Sequence, residues 1–337
     1  MGKVFYRLGA AWLLACVSVH AMAGAPVTKG EGWIYWRSGN PNNVQTTTKP
    51  GVMFEGGGTD VDDAYRWMCA KSGGGDFLVL RSYGNTDYNP YIQRLCPGEN
   101  SVSTLKIINR RGALDPAVLA IIQNSEALFI AGGNQANYVD YFQNTPVQGA
   151  INALAARGVP VGGTSAGNAI LAQFAFSALV NTIYSREALA NCFDRRITID
   201  DGFLNLSPLL AATITDDHFV TRNRMGRLVT FLARIVESGA VHQAFGIALN
   251  ENTAYLMEPN GEGGVVGSST AYFLRTPGPP EVCAPAMPVT YTGLSVYRIA
   301  KGGRFDLANW TGSNGTAYSV SATAGVLTST QNGGKIY

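Results

Sequence analysis

The stretch Val159-Pro-Val-Gly-Gly-Thr-Ser-Ala-Gly-Asn-Ala-Ile-Leu171 constrains the fold more than any other part of the chain. An apolar helical run from Pro146 to Arg157 stops at Gly158, and a short strand follows over Val159–Val161. Gly163-Thr-Ser165-Ala-Gly167 then opens a small-residue helix through Ala172 that continues towards Ala178. Strand, sharp turn and helix around G-x-S-x-G is the context of a nucleophile elbow. The turn strains the serine backbone, so its neighbours must lack bulk, as Gly163, Ala166 and Gly167 do. Ser165 Oγ would stand over a helix N-terminus whose free N–H groups and dipole stabilise a developing oxyanion. A glycine-rich turn with a capping Ser or Thr fits the same residues. The rest of the chain must therefore supply a base, an acid and an oxyanion partner.

The surrounding pattern is α/β. Gly51–Glu55, Asp76–Arg81, Leu105–Ile108 and the apolar run Ala127–Ala131 read as strands, the last buried on both faces of a parallel sheet. Helical spacing begins at Val61, Ala64, Tyr65 and Met68, with Thr59 or Asp60 as cap, and again at Pro116–Asn124. A loop rich in Gly, Asn, Asp and Tyr runs up to Pro90. Gly56-Gly-Gly58 lacks a Gly-Lys-Ser/Thr ending and any G-x-G-x-x-G spacing, so it reads as a strand-to-helix turn rather than a phosphate loop. Strands alternating with helices predict a doubly wound, mostly parallel sheet with functional groups at the carboxyl ends of its strands. From about Asn260 the pattern changes to short strands such as Leu294–Ile299 and ends in a glycine-rich tail, a β-rich elaboration.

Residues 1–23 read as a secretory signal peptide: Lys3 and Arg7, an apolar run over Leu8–Val19, and a small-x-small site at Ala21-Met-Ala23. The run is too short to span a bilayer. Removing it takes two cations from 25 and no acids from 23, leaving 23 against 23. A neutral chain carries no electrostatic footprint for nucleic acid or an anionic membrane. Cys69, Cys96, Cys192 and Cys283 remain, an even number that permits two disulfides in an exported, secreted or periplasmic protein. Three pairings are open, with Cys69–Cys96 and Cys192–Cys283 favoured by nearness in sequence. None of the four has a zinc-ligand spacing, so no metal or other cofactor is expected.

The base for a serine nucleophile is usually histidine. Outside the leader the candidates are His218, in Thr215-Asp-Asp-His-Phe-Val220 ahead of a helix beginning near Arg224, and His242, in a loop before the strand Phe245–Leu249. The polar setting of His218 at a helix entrance favours it. Glu251, at the end of that strand, is the candidate orienting acid. The chain order Ser, His, Glu differs from that of an α/β-hydrolase. Arg222, Arg224 and Arg227 fit either a solvated helix face or a carboxylate clamp.

Four stretches together resemble the cyanophycinase and aspartyl dipeptidase (peptidase E) family: Phe129-Ile-Ala-Gly-Gly-Asn-Gln135, Gly162-Gly-Thr-Ser-Ala-Gly167, Asp216-Asp-His218-Phe with its arginines, and Ile247-Ala-Leu-Asn-Glu251-Asn-Thr-Ala254. The resemblance implies a three-layer α/β/α sandwich similar to class I glutamine amidotransferases. It implies Ser165 as nucleophile, His218 as base, Glu251 as orienter, and an oxyanion hole from the N–H groups of Gly133 and Ala166. It also implies a pocket for a β-aspartyl-arginine unit built from Gln135, Asp216, Arg222, Arg224 and Arg227, a peptide substrate, and a homodimer. Asp217, where Gln is usual, and Asn168, where Ala is usual, depart from the pattern, and Asp217 adds charge to the pocket. The expected layout is leader 1–23, N-terminal segment 24–50, serine peptidase domain 51–300 and a Gly/Ser/Thr-rich β tail 301–337. Two other readings stand: an exported peptidase of the same mechanism acting on other aspartyl or isoaspartyl peptides, and a non-catalytic binding protein on the same fold.

Overall fold

The computed structural model describes residues 1–2 and 27–337, so the signal-peptide reading lies outside the described residues. The first half of the chain supplies β1 (Val27–Gly30), β2 (Trp33–Gly39), β3 (Val52–Glu55), α1 (Asp62–Ser72), β4 (Asp76–Arg81), α2 (Tyr88–Leu95) and β5 (Ser101–Ile107). It continues with α3 (Pro116–Gln123), β6 (Ala127–Ile130), α4 (Gln135–Phe142), α5 (Pro146–Ala156) and β7 (Val161–Thr164). Strands β5, β4, β6, β7 and β3 lie side by side in that order, all parallel.

Alternation along β4 shows why helices cover both faces. Phe77 and Val79 pack with Tyr65 and Met68 of α1 and Ile92 of α2, whereas Leu78 and Leu80 pack with Val118 and Ile122 of α3 and Ile151 and Leu154 of α5. Successive side chains of a strand point to opposite faces, so a run apolar at every position needs a helix layer on each.

The second half adds β8 (Phe174–Phe176), α6 (Ser185–Ala190), β9 (Ile199–Asp201), β10 (Thr213–Asp216), α7 (Met225–Glu237) and β11 (Phe245–Leu249). Here β8, β10 and β11 are parallel. Antiparallel strands β12 (Thr253–Met257), β13 (Glu262–Gly267), β14 (Thr270–Arg275), β15 (Tyr291–Asp306), β16 (Thr311–Thr323) and β17 (Val326–Ser329) complete the chain. β12 pairs with β3 and β14 with β11, while β15 pairs with β13, β14 and β16, so the two parallel groups belong to one mixed sheet. The carboxyl ends of β3 and β10 meet where His218 N–H donates to Gly56 O at 2.8 Å.

Several local expectations change. The helix expected after Ser165 is a short 3₁₀ segment, Ser165–Ile170, followed by β8. Phe174 pairs with both Ile214 and Asp201, and this sheet pairing overrides the helical preference of small residues. The loop expected up to Pro90 becomes α2, in which Pro90 occupies the first turn, where a proline costs no hydrogen bond. Neither Thr59 nor Asp60 caps α1; Glu55 Oε1 accepts from Val61 N–H at 2.7 Å instead. The short strand expected at Leu294–Ile299 is part of a strand of 16 residues. The cysteines pair as Cys69–Cys96, joining α1 to the end of α2, and Cys192–Cys283, each bridge inside a different apolar cluster.

Candidate active site

Ser165 stands where β7 breaks, at φ 50°. That left-handed value is rare for a residue with a side chain and is one way a site stores strain. The flanking glycines are sterically required. A Cβ on Gly167 would lie 2.0 Å from Ile130 O, and one on Gly163 would lie 2.7 Å from the carbonyl of Gly167. His218 follows β10 and also has a positive φ, 45°. Glu251 follows β11.

These three residues, from the ends of three strands, form one line. Ser165 Oγ is 2.8 Å from His218 Nε2, and His218 Nδ1 is 2.5 Å from Glu251 Oε1. A carboxylate at Nδ1 selects the tautomer with the proton there, leaving the Nε2 lone pair to accept from the serine. The imidazole is 7% exposed and the Glu251 side chain 27%. His242 is exposed in the turn before β11 and does not line the cleft.

The turn after β3 belongs to the same site, which its reading as a plain strand-to-helix connection did not convey. A Cβ on Gly57 would come within 2.5 Å of His218 Cε1, and one on Gly58 within 2.9 Å of Glu251 Cβ. Asn250 was also missed. Its Oδ1 accepts from the N–H groups of Val220 and Thr221 at 3.0 and 2.9 Å, tying the segment after His218 to the end of β11. Three consecutive glycines after a fully buried strand, and an asparagine beside a strand-end acid, were the signals that pointed there.

The model of peptidase family S51 matches residues 97–258, a span holding all three residues of this line. Cyanophycinases from Trichormus variabilis and a Nostoc species are each 27% identical over 216 residues, covering 62% of this chain. The chain spans 66% of the length of these two relatives, just under two thirds. A cyanophycinase from Geminocystis herdmanii is 26% identical over 219 residues, covering 60% of this chain and 71% of its own. Over this span the chain is similar to peptidase family S51 and to the cyanophycinases. Its fold is shared with a solved peptidase from an acI-B1 Actinobacterium, at a TM-score of 0.51 and 14% identity, covering 78% of this chain and 98% of that one.

Beside Ser165 the protein has a cleft of about 620 Å³, lined by Gly133, Gln135, Ala166, Asp217, Arg222, Arg224 and Arg227 among others. Gln135 is the first residue of α4, whose cap is the Asn134 side chain, accepting from Ala136 N–H at 3.1 Å. Gly133 and Ala166 line the cleft together with Ser165, and only a six-residue 3₁₀ segment follows the serine. No long helix therefore starts at the serine, and the α-helical dipole expected there is missing.

Asp216 requires correction. It was expected in the substrate pocket, yet it is 1% exposed, does not line the cleft and is already occupied. Arg227 Nε donates to its Oδ2 at 2.9 Å, Arg227 Nη2 donates to its Oδ1, and Arg224 Nη1 reaches Oδ1 at 3.3 Å. The acidic group that faces the cleft is Asp217, whose Oδ1 accepts from Arg224 Nη1 at 2.6 Å and lies 3.6 Å from His218 Nε2. Arg222 is exposed and forms no ion pair among the described residues. Asn168 links the serine turn to β10: its carbonyl accepts from Thr215 Oγ1 at 2.6 Å, and its Nδ2 donates to Asp216 O at 3.3 Å.

Burial acts to raise the pKa of Asp216, but the charge and hydrogen bonds of Arg227, then Arg224 and the Asp217 N–H, outweigh it and hold the carboxyl below its usual range. Replacing Asp216 by Ala strands a buried guanidinium and is expected to cost about 3–5 kcal/mol of stability. The pair contributes fully above the unfolded carboxyl pKa of about 3.9 and loses its contribution as pH falls through the lowered folded value. Urea unfolding at pH 7 and at pH 3 measures both effects. Equal stability of the two proteins at pH 7 would refute the assignment.

Proposed function

We propose that the protein is an exported serine exopeptidase that hydrolyses β-aspartyl peptides, with cyanophycin, a poly-aspartate bearing arginine on its side-chain carboxyls, as substrate and β-Asp-Arg as product. The observation that carries this reading is the hydrogen-bonded line from Ser165 Oγ through His218 to Glu251. In this scheme His218 Nε2 takes the hydroxyl proton as Ser165 attacks the scissile carbonyl. The N–H groups of Gly133 and Ala166 stabilise the oxyanion, and Glu251 stabilises the imidazolium. The imidazolium protonates the departing amine, and water activated by the same ring hydrolyses the acyl-enzyme. The leader-like residues 1–23 and the two disulfides support an oxidising destination.

Charge supports the substrate. Arg222 and Arg224 at the cleft suit aspartyl carboxylates, with Arg227 behind them fixed on Asp216. Asp217 is the group left to meet a substrate guanidinium. Exchanging its contact with Arg224 for the substrate's arginine keeps every buried charge partnered. With a β-Asp-Ala substrate, Arg224 can grip the substrate carboxylate only by leaving Asp217 without a partner, at a cost of about 2–5 kcal/mol, so β-Asp-Arg substrates should react much faster. Asp217→Asn should narrow that gap by slowing only the arginine-containing substrate. Values of kcat/KM for both substrates on both proteins test this. Equal rates in the wild type would remove cyanophycin and leave a broader aspartyl or isoaspartyl peptidase.

A further inference from the structure

The segment bearing the cleft's arginines ends in a helix that begins without a cap of its own. Arg224 is the N-cap residue of α7, at φ −96° and ψ −1°, and makes no side-chain cap hydrogen bond. A guanidinium has no acceptor to offer the free N–H groups of a first helical turn. The acceptor arrives from 112 residues away in the sequence: Met225 N–H donates to Tyr337 Oη at 2.8 Å. The same hydroxyl donates to Asn223 Oδ1 at 3.0 Å. A single oxygen therefore holds the residues on both sides of Arg224.

The surroundings fix that oxygen. The Tyr337 ring stands edge-on to Phe219, with centroids 5.7 Å apart, and to Tyr272 at 6.0 Å. Phe219 directly follows His218. Asn223 is held at φ 50°, a conformation asparagine tolerates better than most residues, and its carbonyl accepts from Ser185 Oγ at 2.5 Å. Arg224 N–H donates to Phe219 O at 2.8 Å and Arg222 N–H to His218 O at 2.9 Å, closing the segment into a compact arm.

We propose that Tyr337 is a positioning residue for substrate binding, its hydroxyl setting the direction in which Arg224, and with it Arg222, faces the cleft. This rests on the proposed function, in which these arginines grip substrate carboxylates. An arm held in its binding geometry before substrate arrives avoids ordering it on binding. Loss of the hydroxyl therefore weakens binding while leaving the line Ser165–His218–Glu251 untouched.

The test compares wild type, Tyr337→Phe and Arg224→Gln, using cyanophycin hydrolysis and amide hydrogen exchange across residues 219–228. Tyr337→Phe keeps the ring and removes only the hydroxyl. It should raise KM about fivefold, the order expected for one hydrogen bond, with kcat unchanged. The amides of residues 223–228 should exchange faster, and those of the central strands should not. Arg224→Gln should also raise KM, and adding Tyr337→Phe to it should raise KM little further. An unchanged KM in Tyr337→Phe beside a raised one in Arg224→Gln overturns the proposal, as does a fall in kcat with faster exchange throughout the protein. If Arg224→Gln leaves KM unchanged, the substrate reading of the arm fails. Exchange then decides alone, and unchanged protection in Tyr337→Phe overturns the role of Tyr337.

Discussion

Replacing Ser165 by Ala is expected to lower kcat on the order of 10⁶-fold while leaving the fold intact. Loss of a triad nucleophile removes the covalent route, and only binding and oxyanion contributions remain. The exchange itself is mild: alanine keeps the Cβ, which already fits 3.4 Å from the position a Cβ on Gly132 would take. A fluorophosphonate probe gives an independent readout. Wild type should label at Ser165 and the variant should not. Wild-type activity in the variant would mean that the nucleophile lies elsewhere; absence of labelling in folded wild type would favour a binding protein on a peptidase fold.

His218→Ala should nearly match that loss, because members of a triad act as a unit and removing the base costs about as much as removing the nucleophile. His242→Ala supplies the control, since its exposed side chain lies outside the cleft. Single-turnover rates on one substrate separate the two. Comparable losses in two well-folded variants would defeat the assignment of His218. The backbone sharpens the comparison: His218 is held at φ 45° by its N–H bond to Gly56 O at 2.8 Å, so melting curves must accompany the rates.

Much of this site could be read from the chain because its residues sit at strand ends. Strands such as Asp76–Arg81 and Phe245–Leu249 announce themselves by continuous apolar runs, and the residues just past them fall at the carboxyl edge of the sheet. The elbow glycines are similarly legible, since contacts as close as 2.0 Å exclude any side chain. Partner choice was not legible. Asp216 and Asp217 are adjacent, and neither spacing nor charge says that the last residue of β10 turns towards Arg227 while the one just past it lines the cleft. The small residues after Ser165 suit a helix by propensity, and only the pairing of Phe174 with strands 27 and 40 residues further on makes them end in a strand. The hydroxyl of Tyr337 over α7 depends on a contact made only by the finished fold.

Gly57 limits how this site can change. With φ at +85° and the His218 ring and Ser165 Cβ within 2.5 and 3.2 Å of where its Cβ would be, the imidazole rests against bare backbone. A wall of backbone has no rotamers, so nothing on that side can shift to accommodate another residue. In a library randomised over the whole site, position 57 should return only glycine among active clones. Position 217, whose residue lines the cleft, should return several residues and with them altered substrate preference.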